Sequence, residues 1–174
     1  MMLTKRSQIE SLGVKFIEVS KATEVAPGVC ATGPIERKFN KENFPKFFKI
    51  DSKDEAREVD WIPDSQGLVI KTSEGPIVLS DCGHSSTVNL VAQVTNTIQR
   101  GPVLGLMGGL HLFNASESTR SWTGLKLKET GISYLMAGHC TGVAPMFSLK
   151  EALGLSRSSA VIGAVGAKFT TRKG

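Results

Sequence analysis

The sequence predicts an α/β layered domain, and three observations carry that prediction. Beyond residue 67, strand-length apolar runs alternate with segments of helical period, the pattern of layered α/β proteins. The length of 174 residues fits one domain spanning 1–174. Hydrophobic residues at 40% and charged residues at 21% exclude a disordered chain. A chain of this size buries roughly 70% of its unfolded surface, so its core needs no disulfide staples.

The elements follow in order. Gly13 to Ser20 reads as a strand, although its alternation slips by one residue. Between Val25 and Ile35, Pro27-Gly28 and Gly33-Pro34 set a turn on each side of a short strand. The polar stretch Lys49 to Asp60 reads as a solvated loop or short helix between two differently built regions. Gly67 to Thr72 and Pro76 to Ser80 form a β-hairpin around Ser73-Glu74-Gly75. Val88, Val91, Ala92 and Ile98 place a helix over Ser85 to Gln99, with Ser85, Ser86 and Thr87 available to cap it. Pro102 to Met107 is a strand, Ser118 to Thr130 a helix stopped at Gly131, and Ile132 to Ala137 a strand. A helix over Ala144 to Leu153 ends at Gly154, and Ser159 to Thr170 is a last, Gly-rich strand.

Composition narrows the function classes. Residues 1–62 carry 11 basic and 10 acidic side chains, and 63–174 carry 10 and 6. Neither part is a basic arm, which argues against a nucleic-acid partner. Cys30, Cys82 and Cys140 are too few and too scattered for a disulfide framework. Their odd number suits a reducing, cytoplasmic setting. The N-terminus lacks the apolar core of a secretory signal. The longest uncharged stretch, Thr130 to Leu149, is broken by glycines and Pro145 and does not read as a membrane span.

The chemistry concentrates on three histidines. His84, His111 and His139 each follow a strand in a Gly-rich turn: Asp81-Cys82-Gly83-His84-Ser85, Gly108-Gly109-Leu110-His111, and Gly138-His139-Cys140-Thr141-Gly142. Such turns sit at the carboxyl ends of strands, where α/β sheets bind ligands. Three convergent imidazoles suit zinc better than magnesium or calcium. Cys82 and Cys140 flank two of these histidines, and Cys82-x-His84 could make a Cys/His metal pair; no paired C-x-x-C spacing is present, so the reading preferred for both is buried small hydrophobes. Two helices start directly after histidine turns. Their free N–H groups favour a small anionic substrate near Ser85, Thr141 and Gly142, the candidate substrate-binding positions.

At these residues the chain resembles the metallo-β-lactamase fold superfamily, on the branch of dihydropterin–ribofuranosylaminobenzene phosphate synthase-like proteins. That branch reads T-G-C-S-H-S-G followed by Asn, then G-G-F-H-L, then H-C-T-G. Here the strings are Ser80-Asp81-Cys82-Gly83-His84-Ser85-Ser86 with Asn89, then Gly108-Gly109-Leu110-His111-Leu112, then His139-Cys140-Thr141-Gly142. Asp81, Gly83 and Ser86 depart from the pattern. The resemblance implies an αββα sandwich and a pocket for one or two metals, usually zinc. His84 would serve one metal and His139 the other. His111 stands where the wider superfamily usually has a bridging Asp.

The superfamily's H-x-H-x-D-H motif is not found, and no histidine precedes His84. The resemblance therefore implies a fold incomplete at its N-terminus. It implies zinc that is weak or absent in this chain alone, and a metal-dependent hydrolase-like activity that is impaired or partner-dependent. A single ion held by all three histidines is one alternative. A homodimer, or a separate polypeptide supplying the missing part, would complete the fold. The alternative from another class is a non-enzymatic structural or interaction protein that retains the fold.

Overall fold

The computed structural model describes residues 5–39 and 65–170. Within them, seven strands form one sheet whose spatial order is the chain order. They are β1 (Thr23–Ala26), β2 (Val29–Ala31), β3 (Gly67–Ile70), β4 (Ile77–Ser80), β5 (Gly105–Gly109), β6 (Tyr134–Gly138) and β7 (Ala160–Ile162). The first four pair antiparallel and the last four parallel, with β4 common to both regions. The helices are α1 (Arg6–Glu10), α2 (Thr87–Thr97), α3 (Glu117–Glu129) and α4 (Val143–Leu153).

Parallel strands need crossover connections, and α2, α3 and α4 supply them. The strands β4 to β7 advance in one direction. Right-handed crossovers then place all three helices on the same side of the sheet. Contacts of α2 with α3, and of α3 with α4, show them side by side. Gly124 of α3 permits this approach, since a Cβ there would lie 2.6 Å from Cβ of Ala152.

The register explains the core. Cys30, Val69, Val78, Leu106, Leu135 and Ala160 are successive cross-strand partners. All six are buried in one hydrophobic cluster, with Val91, Val94, Leu127 and Leu149 of the helices. The adjacent row, Leu68, Leu79, Met107, Met136 and Val161, alternates onto the opposite face. Its members are only partly covered, and Leu68 is 42% exposed. Phe169 folds back onto this face, beside Gly105 and 5.2 Å from the ring of Tyr134.

Asn89 and Gln93 fasten the segment before the long connection onto α2. Asn89 Oδ1 accepts from the backbone N–H groups of Lys38 and Phe39, and its Nδ2 donates to the carbonyls of Phe39 and Ser85. Gln93 Nε2 donates to the carbonyls of Thr32 and Pro34, while its oxygen accepts from Glu36 N–H. One helix face thus takes up backbone groups of Thr32, Pro34, Glu36, Lys38 and Phe39, while the N–H groups of Thr32 and Ile35 bond to the Gly67 and Ser65 carbonyls.

Several expectations hold and several shift. The hairpin of β3 and β4, the short strand β2, and the helices α2, α3 and α4 lie where the sequence put them. The expected strand over Gly13–Ser20 does not form. Val14 and Ile17 are exposed there, and Arg6 holds the segment by pairing with Glu18 at 2.6 Å and lying over the Phe16 ring. Two elements, β1 and α1, were not anticipated. The strand expected at Pro102–Met107 begins later, at Gly105. Val103 and Leu104 are buried, but their N–H groups bond to Thr130 and Pro76 carbonyls. The last strand stops at Ile162 instead of running to Thr170, because Gly163 and a turn at Gly166 (φ +86°) redirect the chain. The cap of α3 is Ser116, whose hydroxyl accepts from Thr119 N–H, whereas the serines before α2 make no side-chain cap bond. The expected polar loop at Lys49–Asp60 lies outside the described residues.

The two sheet faces have different energetic weight. Leu106→Ala is expected to destabilise by about 2–5 kcal/mol, the range for opening a cavity in a packed core. Leu68→Ala on the open face is expected to change stability by less than about 1 kcal/mol. Urea unfolding of both variants checks this, and equal effects would contradict the assignment of faces.

Candidate metal centre

The register aligns the carboxyl ends of three adjacent parallel strands. Ser80 pairs with Gly108, and Gly109 pairs with Gly138. The turns that follow β4, β5 and β6 therefore lie side by side, and they carry His84, His111 and His139. Backbone and hydroxyl groups stitch them together. Gly109 N–H donates to the Asp81 carbonyl, and Ser80 Oγ donates to the Gly109 carbonyl. Thr141 Oγ1 accepts from Leu110 N–H, and the Cys140 carbonyl accepts from Leu112 and Phe113 N–H.

Glycine is required where the turns meet. A Cβ on Gly108, at φ +115°, would lie 1.9 Å from the Ser80 carbonyl oxygen. A Cβ on Gly109 would lie 2.6 Å from the Asp81 carbonyl oxygen and 2.9 Å from Cys140 Sγ. The non-glycine residues with positive φ among the described residues are Ser86, His111 and His139. Two are candidate ligands and the third starts the helix after His84. Left-handed backbone at non-glycine positions costs roughly 1–3 kcal/mol each and clusters at functional sites.

The imidazoles converge. The His84 and His111 ring centroids are 4.7 Å apart, edge to face. Donor atoms of Cys82, His84 and His111 lie within 4.8 Å of one another, and so do those of Cys82, His139 and Cys140. Cys82 belongs to both groups, so the histidine donor atoms are separated by no more than twice that distance. His111 is buried, His84 half-buried and His139 exposed.

The thiols are the residues that the sequence reading set aside in favour of burial. Cys30 is buried in the core as expected. Cys82 and Cys140 instead stand among the imidazoles, with their Sγ atoms 2.9 Å apart. Cys82 Sγ is 3.4 Å from His111 Nδ1, and Cys140 Sγ accepts from His111 N–H at 3.3 Å. The signal lay in the spacings Cys82-x-His84 and His139-Cys140. The short 3-10 turn over His139–Thr141 keeps both adjacent donors on one site.

Of the three positions expected to bind substrate, Ser85 and Thr141 are buried with their hydroxyls engaged. Ser85 Oγ accepts from Arg37 and Thr141 Oγ1 from Leu110. Gly142 starts α4 at φ +82°, where a Cβ would press on the Phe113 backbone at 2.9 Å. Arg37 joins the site from outside the sequence reading, through its bond to Ser85. Asp81 lines both adjoining clefts, one of about 460 Å³ beside His84 and one of about 340 Å³ beside His139.

Burial disfavours the charged forms of His84, His111 and Cys82. It pushes the His84 imidazole below its ordinary value of 6.5, with Arg37 and His139 adding to the effect against Asp81. Burial, then His84 and His139, lowers His111 likewise. Both rings therefore present lone pairs at neutral pH, the form that binds metal. The Cys82 thiol is pushed up to about 12 by burial and by its hydrogen bond with Cys140.

This geometry can be set against known proteins. No protein-family model matches the chain. A solved metal-dependent hydrolase of the beta-lactamase superfamily aligns with 85% of this chain and 54% of its own, at TM-score 0.67 and 22% identity. The chain therefore has the metallo-β-lactamase fold. It is also similar to the 7,8-dihydropterin-6-methyl-4-(beta-D-ribofuranosyl)-aminobenzene-5'-phosphate synthase of Methanocaldococcus jannaschii. Identity is 30% over 141 residues, covering 80% of this chain. The match covers 48% of that protein, so the chain spans about half the length of this curated relative.

Gly109→Ala is expected to destabilise by about 1–3 kcal/mol, because neither the Asp81 carbonyl nor Cys140 can retreat easily. Gly105→Ala, whose methyl would meet nothing nearer than 3.5 Å, is expected to have the smaller effect. Thermal unfolding of the two variants decides the order. A second expectation concerns pH. Below 6.5 the unfolded chain protonates its histidines, while folded His84 and His111 resist. Stability of metal-free protein should therefore fall as pH is lowered from 6.5 toward 5. Denaturation midpoints across that range test it, and a flat profile would contradict the burial argument.

Proposed function

We propose that the chain is a metal-dependent, hydrolase-like member of the metallo-β-lactamase superfamily whose metal centre is built on His84 and His111 on one side of Cys82 and on His139 on the other. The observation that supports this best is the convergence of three strand-end turns on Cys82, with imidazoles on both sides of it and with His84 and His111 held neutral by burial. Zinc is the ion of choice for such a borderline donor set. A bound zinc ion would supply Lewis-acid activation of water for attack on an ester, amide or phosphoester.

The chain's own residues then position and select. The strained turns at His111 and His139 fix imidazole direction before any ion arrives. Arg37, which donates to Ser85 and whose charge reaches His84, gives this edge of the site a positive potential. The starts of α2 and α4 add to it, which favours a carboxylate or phosphate on the substrate. The curated relative carries a 5'-phosphate in the name of its product, and this chain is proposed to act on a small phosphorylated or carboxylated molecule. Exposed Phe113, beside the His111 ring at 5.6 Å, offers an aromatic surface at the same mouth.

The partner is proposed to be a second copy of the chain, or a polypeptide that covers the open sheet face. Leu68 at 42% and Ile70 at 36% exposure support that reading. The described residues include no helix long and apolar enough to cross a membrane. Free thiols suit a cytoplasmic setting.

Zinc titration by calorimetry on metal-free protein tests the site. The unaltered chain should bind zinc, and His84→Ala, His111→Ala and His139→Ala should each weaken binding at least roughly tenfold. Hydrolysis of activated phosphodiester and ester substrates, abolished by chelator and restored by zinc, should follow the same order. Zinc binding without any turnover would favour the interaction-protein reading. Light scattering is expected to show a dimer or larger species, and a stable monomer would remove the proposed partner.

A further inference from the structure

We propose that Cys82 and Cys140 are themselves metal ligands, joining His139 to hold one zinc-class ion in a mixed thiolate–imidazole site. This inference rests on the reading of the pocket as a metal centre, and it changes what the pocket is made of. The sequence reading preferred imidazole ligands, setting aside a Cys82/His84 pair, and expected binding to be weak or absent for want of donors. The two thiols supply donors from within the chain.

The geometry fits one coordination shell. With zinc–sulfur bonds of about 2.3 Å and zinc–nitrogen bonds of about 2.0–2.1 Å, donors around a tetrahedral ion stand roughly 3.3–3.8 Å apart. Cys82 Sγ and Cys140 Sγ are 2.9 Å apart, and a His139 nitrogen is within 4.8 Å of both. Adjustments of under about 1 Å would seat an ion among them. A fourth position remains for solvent or substrate on the exposed His139 side.

One neighbouring backbone group suits a thiolate at Cys140. The backbone N–H of His111 already donates to Cys140 Sγ. Such a donor strengthens when the sulfur carries charge. Gly109 keeps free the volume beside Cys140 that any side chain would fill. On the other side of Cys82, His84 and His111 stand as a separate pair of donors. The arrangement allows two ions with the Cys82 sulfur between them.

Cobalt is the probe, because thiolate ligands give Co²⁺ a near-ultraviolet charge-transfer absorption that imidazoles do not. Metal-free full-length chain is titrated with Co²⁺ under a non-thiol reductant, then with Zn²⁺. The expected result is a charge-transfer band that zinc displaces. It should weaken in Cys82→Ser and in Cys140→Ser, vanish in the double variant, and persist in Cys30→Ser. Visible ligand-field bands without charge transfer, lost in His139→Ala, would overturn thiolate ligation and leave the histidine centre standing. No cobalt binding at all would overturn both. Should the serine variants fail to fold, cadmium NMR of the unaltered chain reads sulfur ligation directly from the metal's chemical shift. A shift typical of nitrogen and oxygen donors alone would overturn the proposal.

Discussion

The approach of three turns at Gly109 is the constraint on which the site depends. Three parallel strands end in register, and their loops cross where only a hydrogen atom fits between the Asp81 carbonyl and the Cys140 sulfur. Packing at this point is set by hydrogen bonds and excluded volume rather than by apolar burial. Thr141, Ser80 and the Gly109 backbone each tie one turn to another. Moving any turn would displace an imidazole and a thiol together. The hydrophobic row from Cys30 to Ala160 lies beneath, and it fixes the strand heights that the crossing requires.

Electrostatics within the site run in one direction. Burial disfavours imidazolium at His84 and His111 and thiolate at Cys82. Without a cation, His84, His111 and Cys82 are neutral donors in surroundings that resist charge. A divalent ion reverses the balance at the sulfurs, since its own charge is the largest nearby. Proton release would accompany its arrival.

Much of this was legible in the sequence, and the rest had physical reasons to be hidden. Apolar period located α2, α3 and α4, and the Ser-Glu-Gly turn located the β3–β4 hairpin. Three repeated His-Gly contexts located the site. Strand edges were less visible, because β5 is rich in glycine and the buried residues before it spend their N–H groups outside the ladder. The segment 13–20 carried apolar residues but no neighbour to pair with. The thiols were misread because burial of cysteine is the common case. Only the fold brings together Cys82 and Cys140, which are 58 positions apart. Positive φ at His111 and His139 likewise has no signature in composition.

The unbroken strand order has a consequence for how the chain assembles. Each strand hydrogen-bonds to the one made just before it, from β1 through β7. Among the described strands, none is inserted between two already paired. Loop-closure entropy is incurred in successive steps as each strand joins the one before it. The candidate ligands come from three successive steps. The pocket is complete only after β6 has joined, so ligand binding reports on nearly the whole sheet.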